Sequence, residues 1–190
     1  MALPIKSDKY SYKDYLACPK EESFEIIDGV PYAMSPAPSR IHQEISMRLI
    51  NEIYTYLKGK SCKIYAASFD VRLCKKSEND EEIINVVQPD ITVVCDDSKL
   101  DDKGVKGVPD FIIEIVSPSS VSLDYVKKLY LYGSYGVKEY WIVNPSNKTA
   151  FVYKILETGS YDAPCVYNEN DKIKVGIFED LTIDLSDVFR

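Results

Sequence analysis

No stretch of this chain approaches the unbroken apolar length that a membrane-crossing helix needs. The first residues, Met1-Ala-Leu-Pro-Ile-Lys-Ser-Asp-Lys9, hold no apolar run of the kind an export signal uses, so a cytoplasmic protein without a membrane partner is expected. Histidine is almost missing. His42 is the only one, which excludes multi-histidine zinc centres and H-E-x-x-H proteases and leaves any nucleophile–histidine triad resting on one imidazole. The five cysteines, Cys18, Cys62, Cys74, Cys95 and Cys165, are scattered and form no C-x-x-C pair. Reduced, mostly packed thiols are therefore expected, not a disulfide framework or a cysteine zinc site. Positive charge is also scarce: 23 Lys and Arg stand against 30 Asp and Glu, a net charge of −7. That balance argues against indiscriminate binding to polyanions, though basic residues could still gather on one face.

Repeats, low-complexity tracts and long Gly/Ser/Pro linkers are absent as well. What remains is 190 residues, 45% hydrophobic and 28% charged, the profile of one globular domain spanning residues 1–190. Residues 11–17 read as a short helix. Asp28-Gly29 between two apolar runs predicts an amino-terminal hairpin. Pro36, Pro38 and Ser39 introduce a helix from Arg40 to Leu57, whose Ile41, Ile45, Leu49, Ile53, Tyr54 and Leu57 recur at helical spacing, with Gly59 closing it. Lys63 to Leu73 and Val86 to Val94 read as strands, the second interrupted by Pro89. The polar stretch 75–82 reads as a loop or hairpin tip, and residues 96–108 as a charged loop. Phe111 to Val116 has the nearly all-apolar pattern of a strand covered on both faces. Ser117 to Ser120 offers hydroxyl caps for a helix over 121–135 ended by Gly136, and Glu139 to Val143 is the next strand. Strand, helix, strand implies a right-handed crossover between parallel neighbours. Residues 150–156 and 174–178 are later strands. The sum is an α/β fold, a mixed sheet with helices packed against it.

The chemistry is sought where burial makes charge expensive. Glu114 lies in the middle of Phe-Ile-Ile-Glu-Ile-Val, and an ionised carboxylate there needs a cation or hydrogen bonds to offset several kcal/mol. Asp90 enters its own strand between Pro89 and Ile91. Two such carboxylates brought to one sheet end, with water in the remaining positions, suit Mg²⁺; a buried lysine paired with Glu114 would satisfy the same pattern. Asp124, Lys128 and Tyr132 are spaced four apart and align on one helical face. That face either carries an ordinary exposed Asp–Lys pair or aims Lys128 at a metal-bound substrate, where it would stabilise charge on a phosphate or help activate water.

These residues stand in an order that resembles the Uma-two family of restriction-endonuclease-like proteins, a branch of the PD-(D/E)XK nuclease superfamily. The resemblance runs through Phe24-Glu-Ile-Ile-Asp-Gly29, Ser35-Pro36, His42, Phe69-Asp-Val-Arg-Leu73 and Val87-Gln-Pro-Asp90. Its most specific part is Pro109-Asp-Phe-Ile-Ile-Glu-Ile-Val-Ser-Pro-Ser119, followed by Asp124, Lys128, Tyr132, Gly136-Val137, Glu139-Tyr-Trp141 and Asn144-Pro145. The resemblance implies a restriction-endonuclease-like core ordered αβββαβ, here with an amino-terminal hairpin and extra carboxy-terminal strands. It implies metal-dependent hydrolysis of DNA phosphodiester bonds, with Mg²⁺ or Mn²⁺ held by Asp90 and Glu114. The lysine of the superfamily's Glu-x-Lys unit is replaced here by Val116, and its role maps onto Lys128 on the following helix. Glu44, His42, Glu25 and Asp124 are accessory candidates, since the first long helix of such nucleases often supplies a further acidic residue. Asp110 and Ser117, flanking Glu114, are candidates for outer support, and Asp70 reads as a strand-end hydrogen-bonding group. A homodimer would place two sites on a duplex. The contrasting reading, favoured by Val116 and the acidic balance, is an inactive nuclease-fold module that binds a partner.

Overall fold

A strand covered on both faces must find two apolar layers, and residues 111–115 find them. The computed structural model describes residues 9–18, 24–34, 37–75, 78–118 and 120–190; the Ser35-Pro36 and Ser119 positions of the motifs lie outside these. In chain order the elements are α1 (Tyr12–Ala17), β1 (Phe24–Ile27), β2 (Val30–Ala33), α2 (Arg40–Leu57), β3 (Lys63–Ala66), β4 (Val71–Arg72), β5 (Val86–Val87) and β6 (Ile91–Val94). There follow β7 (Leu100–Asp101), β8 (Gly104–Lys106), β9 (Phe111–Ile115), a π-helical segment Leu123–Lys128, α3 (Leu129–Tyr135) and β10 (Glu139–Asn144). The chain ends with β11 (Thr149–Lys154), β12 (Cys165–Asn168), β13 (Lys172–Lys174), β14 (Thr182–Asp184) and α4 (Leu185–Val188).

The large sheet has the order β12-β11-β10-β9-β6-β3 and is mixed: β9 and β10 run parallel and the other pairs antiparallel. Along β9 the side chains alternate. Phe111, Ile113 and Ile115 pack with Ile45, Leu49 and Ile53 of α2 and with the carboxy-terminal residues Ile183, Leu185 and Val188. Ile112 faces the other way, with Tyr140 and Ile142, onto Leu131 and Tyr132 of α3 and onto Val71, Val87 and Val105. Period-two alternation puts Glu114 on that second face.

Val71, Val87 and Val105 belong to a second six-stranded sheet, β2-β1-β5-β4-β8-β7, beyond the single mixed sheet expected. Its origin lies in two apparent strands that each change sheets. Residues 63–73 pair as β3 in the large sheet, break over 67–70, and resume as β4 in the small one. Residues 86–94 do the reverse, leaving the small sheet after β5 and joining the large one as β6. Pro89, which has no N–H for a ladder, lies in the second crossing. The charged loop expected over 96–108 instead holds the β7–β8 hairpin. Residues 165–168 and 182–184 are strands that the sequence pattern did not reveal, and residues 80–82 form a single 3₁₀ turn.

Helix α2 has the expected limits, with Ser39 Oγ accepting from the His42 N–H at 3.3 Å. Ile45, Leu49, Ile53 and Leu57 are buried as predicted, whereas Ile41 and Tyr54 are exposed. The hairpin turn has Asp28 and Gly29 both at positive φ, the Asp-Gly chemistry of a primed turn. The expectation of reduced cysteines holds for Cys18, Cys74 and Cys165 and fails for Cys62 and Cys95, which form a disulfide. Lys63 pairs with Val94, so the next residues outward, Cys62 and Cys95, stand opposite each other in the same ladder.

Candidate functional site

The β6–β9 ladder, β1 of the small sheet, and the π-helical turn with α3 converge on the second face of the large sheet. In the β6–β9 ladder Ile91 pairs with Ile113, and continuing that register places Asp90 opposite Glu114. Asp90 lies just beyond its strand, where its Oδ2 accepts the Ile115 N–H at 2.7 Å in place of a ladder carbonyl. The small sheet contributes Glu25, the second residue of β1. The π-helical turn and α3 contribute Asp124, Lys128 and Tyr132; widening this segment to i→i+5 bonding leaves both Asp124 and Lys128 turned inward and buried.

Lys128 is the centre of the cluster. Its Nζ lies 2.9 Å from Glu114 Oε1, 2.9 Å from Glu25 Oε1 and 3.8 Å from Asp124 Oδ1. The Tyr132 hydroxyl donates to the same Glu114 oxygen at 2.9 Å, and the Gln88 N–H donates to Glu25 Oε1 at 2.8 Å. On the other side of Asp90, His42 brings Nε2 to 3.3 Å from Oδ2, while its buried Nδ1 has no hydrogen-bond partner among the described residues. A pattern follows from these bonds. Glu25, Asp90 and Glu114 each have one oxygen held by donors of the protein, and their second oxygens take no hydrogen bond from the described residues.

The electrostatics follow from burial and charge count. Burial pushes the Glu114 carboxyl well above the usual carboxylate range, with the Lys128 ammonium pulling it back and the neighbouring acids adding to the rise. Burial likewise raises Asp124, again against the pull of Lys128. For Lys128 burial works downward, but Glu114, Glu25 and Asp124 together hold it above the ordinary lysine value. The three carboxylates thus favour its protonated form. Burial lowers and the Asp90 bond, Asp90 charge and Ile115 carbonyl raise the His42 imidazole, the net direction being upward.

Of the expected residues, the structure brings Glu114, Lys128, Glu25 and Asp124 into one contact network and places Asp90 beside Glu114 with His42 on it. It does not bring Glu44: that carboxylate pairs with Arg40 and, at 3.8 Å, with Arg48 along α2. Asp110 is at the opposite end of β9, accepting from the Cys95 N–H at 2.8 Å and pairing with Lys138 at 2.7 Å. The Ser117 N–H donates to Ser120 Oγ, and Asp70 accepts from Tyr15 and Gln88. Tyr132 was legible only as one position on a helical face. Its hydroxyl on Glu114, and the Gln88 N–H on Glu25, are contacts no sequence spacing announces.

The residues suit a hard divalent cation in kind, being carboxylates with a surplus of negative charge over one lysine. Among the described residues, however, no group of three or more His, Cys, Asp or Glu is drawn together closely enough to hold a metal ion by itself. Nor is any helix among them long and apolar enough to cross a membrane.

A family model described as Uma2, putative restriction endonuclease, matches residues 12–186. The uncharacterized protein slr1290 of Synechocystis sp. is 26% identical over 156 residues, covering 80% of this chain and 78% of that one. The crystal structure of a putative nuclease belonging to DUF820 from Anabaena variabilis superposes with a TM-score of 0.73 at 20% identity, covering 94% of this chain and 97% of that one. That likeness extends to the whole mixed α/β architecture. The family model spans most of the chain, which belongs to the Uma2 family of putative restriction endonucleases.

Proposed function

We propose that this protein is a divalent-metal-dependent endonuclease acting on DNA, with Asp90 and Glu114 holding the ion and Lys128 serving the phosphate. The observation that carries the reading is the Asp90–Glu114 register across two paired strands, with Lys128 on Glu114. The second oxygens of Asp90 and Glu114, which take no hydrogen bond from the described residues, support a two-carboxylate Mg²⁺ or Mn²⁺ site completed by water. When bound, such an ion supplies Lewis-acid polarisation of the phosphate and a water of lowered pKa. The remaining work belongs to the chain. Three carboxylates around the Lys128 Nζ favour its charged form, which suits electrostatic stabilisation of the phosphoryl transition state better than general-base action. Tyr132 and Gln88 fix the Glu114 and Glu25 carboxylates, and His42 and the Ile115 N–H fix Asp90. Glu25 and Asp124 hold the Lys128 ammonium in place.

The test is incubation of purified protein with plasmid, single-stranded and branched DNA in Mg²⁺ or Mn²⁺. Cleavage that is lost in Glu114→Gln and in Lys128→Ala supports the assignment, and cleavage that persists in both removes it. The Val116 substitution, and the engagement of Lys128 by three carboxylates, favour the second reading of an inactive interaction module. Calorimetry separates the two: Mn²⁺ heat that vanishes in Asp90→Ala excludes the module.

A further inference from the structure

The large sheet places an aromatic pair next to this cluster. Tyr65 pairs with Thr92, which pairs with Ile112, and Ile112 lies on the same face as Glu114. Tyr65 therefore projects from the face that carries the site, one strand and two residues away from Asp90. Sheet spacings put the two Cα positions roughly 8 Å apart, with Glu114 about 12 Å from Tyr65. The Phe69 ring lies parallel to Tyr65, with centroids 4.1 Å apart and 11° between planes, and packs against the same apolar layer. Both side chains are half-buried in the segment where the chain crosses between sheets, and the Ala67 N–H in that segment donates to the Asp90 carbonyl at 3.1 Å. On the small-sheet side, Tyr32 is the register partner of Glu25, and Lys127 lies over its ring at 5.2 Å.

We infer that Tyr65–Phe69 is a stacking platform for an unpaired base beside the scissile phosphate, so that the substrate is single-stranded DNA or DNA with unpaired bases at the cut. Stacking on an aromatic face is available only to a base that has left its own stack, and it tolerates any base. A chain of net charge −7 is poorly furnished with phosphate contacts to either form, so base stacking is the contribution that would set a preference for unpaired DNA. The Tyr32–Lys127 pair offers a second ring with a cation for the backbone. The placement beside a scissile bond rests on the nuclease reading, whereas the test below reads binding and so fails separately.

Fluorescence anisotropy of a labelled oligodeoxynucleotide, single-stranded or annealed to its complement, is measured in Ca²⁺ with the full chain. The wild type is expected to bind the single strand at least about tenfold more tightly than the duplex. Tyr65→Leu and Phe69→Leu, which keep an apolar side chain but remove the ring, are each expected to weaken single-strand binding about tenfold, the effect of one lost base stack, while a cooperative melt only a few degrees below wild type shows the fold retained. An abasic residue scanned along the oligonucleotide is expected to weaken the wild type at one position and to cost nothing further in Phe69→Leu. Duplex binding equal to or tighter than single-strand binding, no single-strand binding, or indifference of single-strand affinity to both leucine variants overturns the inference. Single-strand binding of this kind without cleavage under Mg²⁺ or Mn²⁺ removes the nuclease reading and keeps the platform; duplex cleavage unaffected by both variants does the opposite.

Discussion

Lys128 is one buried cation facing three carboxylates, and its neighbours respond to substitution according to that imbalance. Removing it as Lys128→Met leaves Glu25, Glu114 and Asp124 without compensation, and chemical denaturation is expected to show a loss of about 3–5 kcal/mol. Adding Glu114→Gln to that variant is expected to restore part of the loss, because one of the stranded charges disappears; a double-mutant cycle with no coupling would contradict this. Tyr132→Phe deletes only the hydroxyl on Glu114 Oε1. Calorimetry is expected to show Mn²⁺ affinity lowered about tenfold with the fold intact, the magnitude of one hydrogen bond to a charged acceptor. At this scale Glu114 and Asp90 could be read from the sequence because a charge among isoleucines or after Pro89 violates the apolar pattern of its strand. Tyr132 could not, since a tyrosine facing a core breaks no pattern; nor could the sequence tell that Glu44, one residue from the buried Ile45, lies on the α2 face where Arg40 and Arg48 meet it.

Elements were legible where periodicity is long and obscure where strands are short. Helix α2 keeps its limits over 18 residues because four buried positions and a serine cap all point to the same register. The two segments that change sheets read as continuous β patterns, because the alternation of apolar residues does not record which sheet a strand pairs with. Arg72 is the exception that marks the small sheet: fully buried, it is held by Asp80 at 2.7 Å and Asp101 at 2.6 Å. At the carboxy terminus Asp184 caps α4 through Ser186 and pairs with Lys172, and these contacts hold its carboxyl at about 2, below the usual value of 3.8. A depressed folded-state pKa stabilises the fold above the unfolded value and is lost as pH falls through the folded one. The melting-temperature deficit of Asp184→Ala is therefore expected in full above about pH 4 and to shrink toward pH 2; a deficit independent of pH over that range would show the charge to be irrelevant.

For the whole molecule, the disulfide was hidden for a simple reason: scattered cysteines carry no pairing information until the β3–β6 register is known. It closes a loop across a sequence separation of 33, and chain-entropy arguments give roughly 3–4 kcal/mol for such a closure. Cys62→Ser together with Cys95→Ser is expected to lower the denaturation midpoint accordingly, and reductant is expected to do the same to the wild type but not to the double variant. The mixed architecture itself was legible from composition and strand–helix order, while the division into two sheets was not. That division has a kinetic consequence. Because the backbone passes from one sheet to the other at 67–70 and back at 88–90, neither layer can peel away without tearing strands out of its partner. Amide protons of β4, β5, β6 and β9 should then exchange with deuterium as one cooperative block, and the two carboxylate-bearing strands would never be exposed separately.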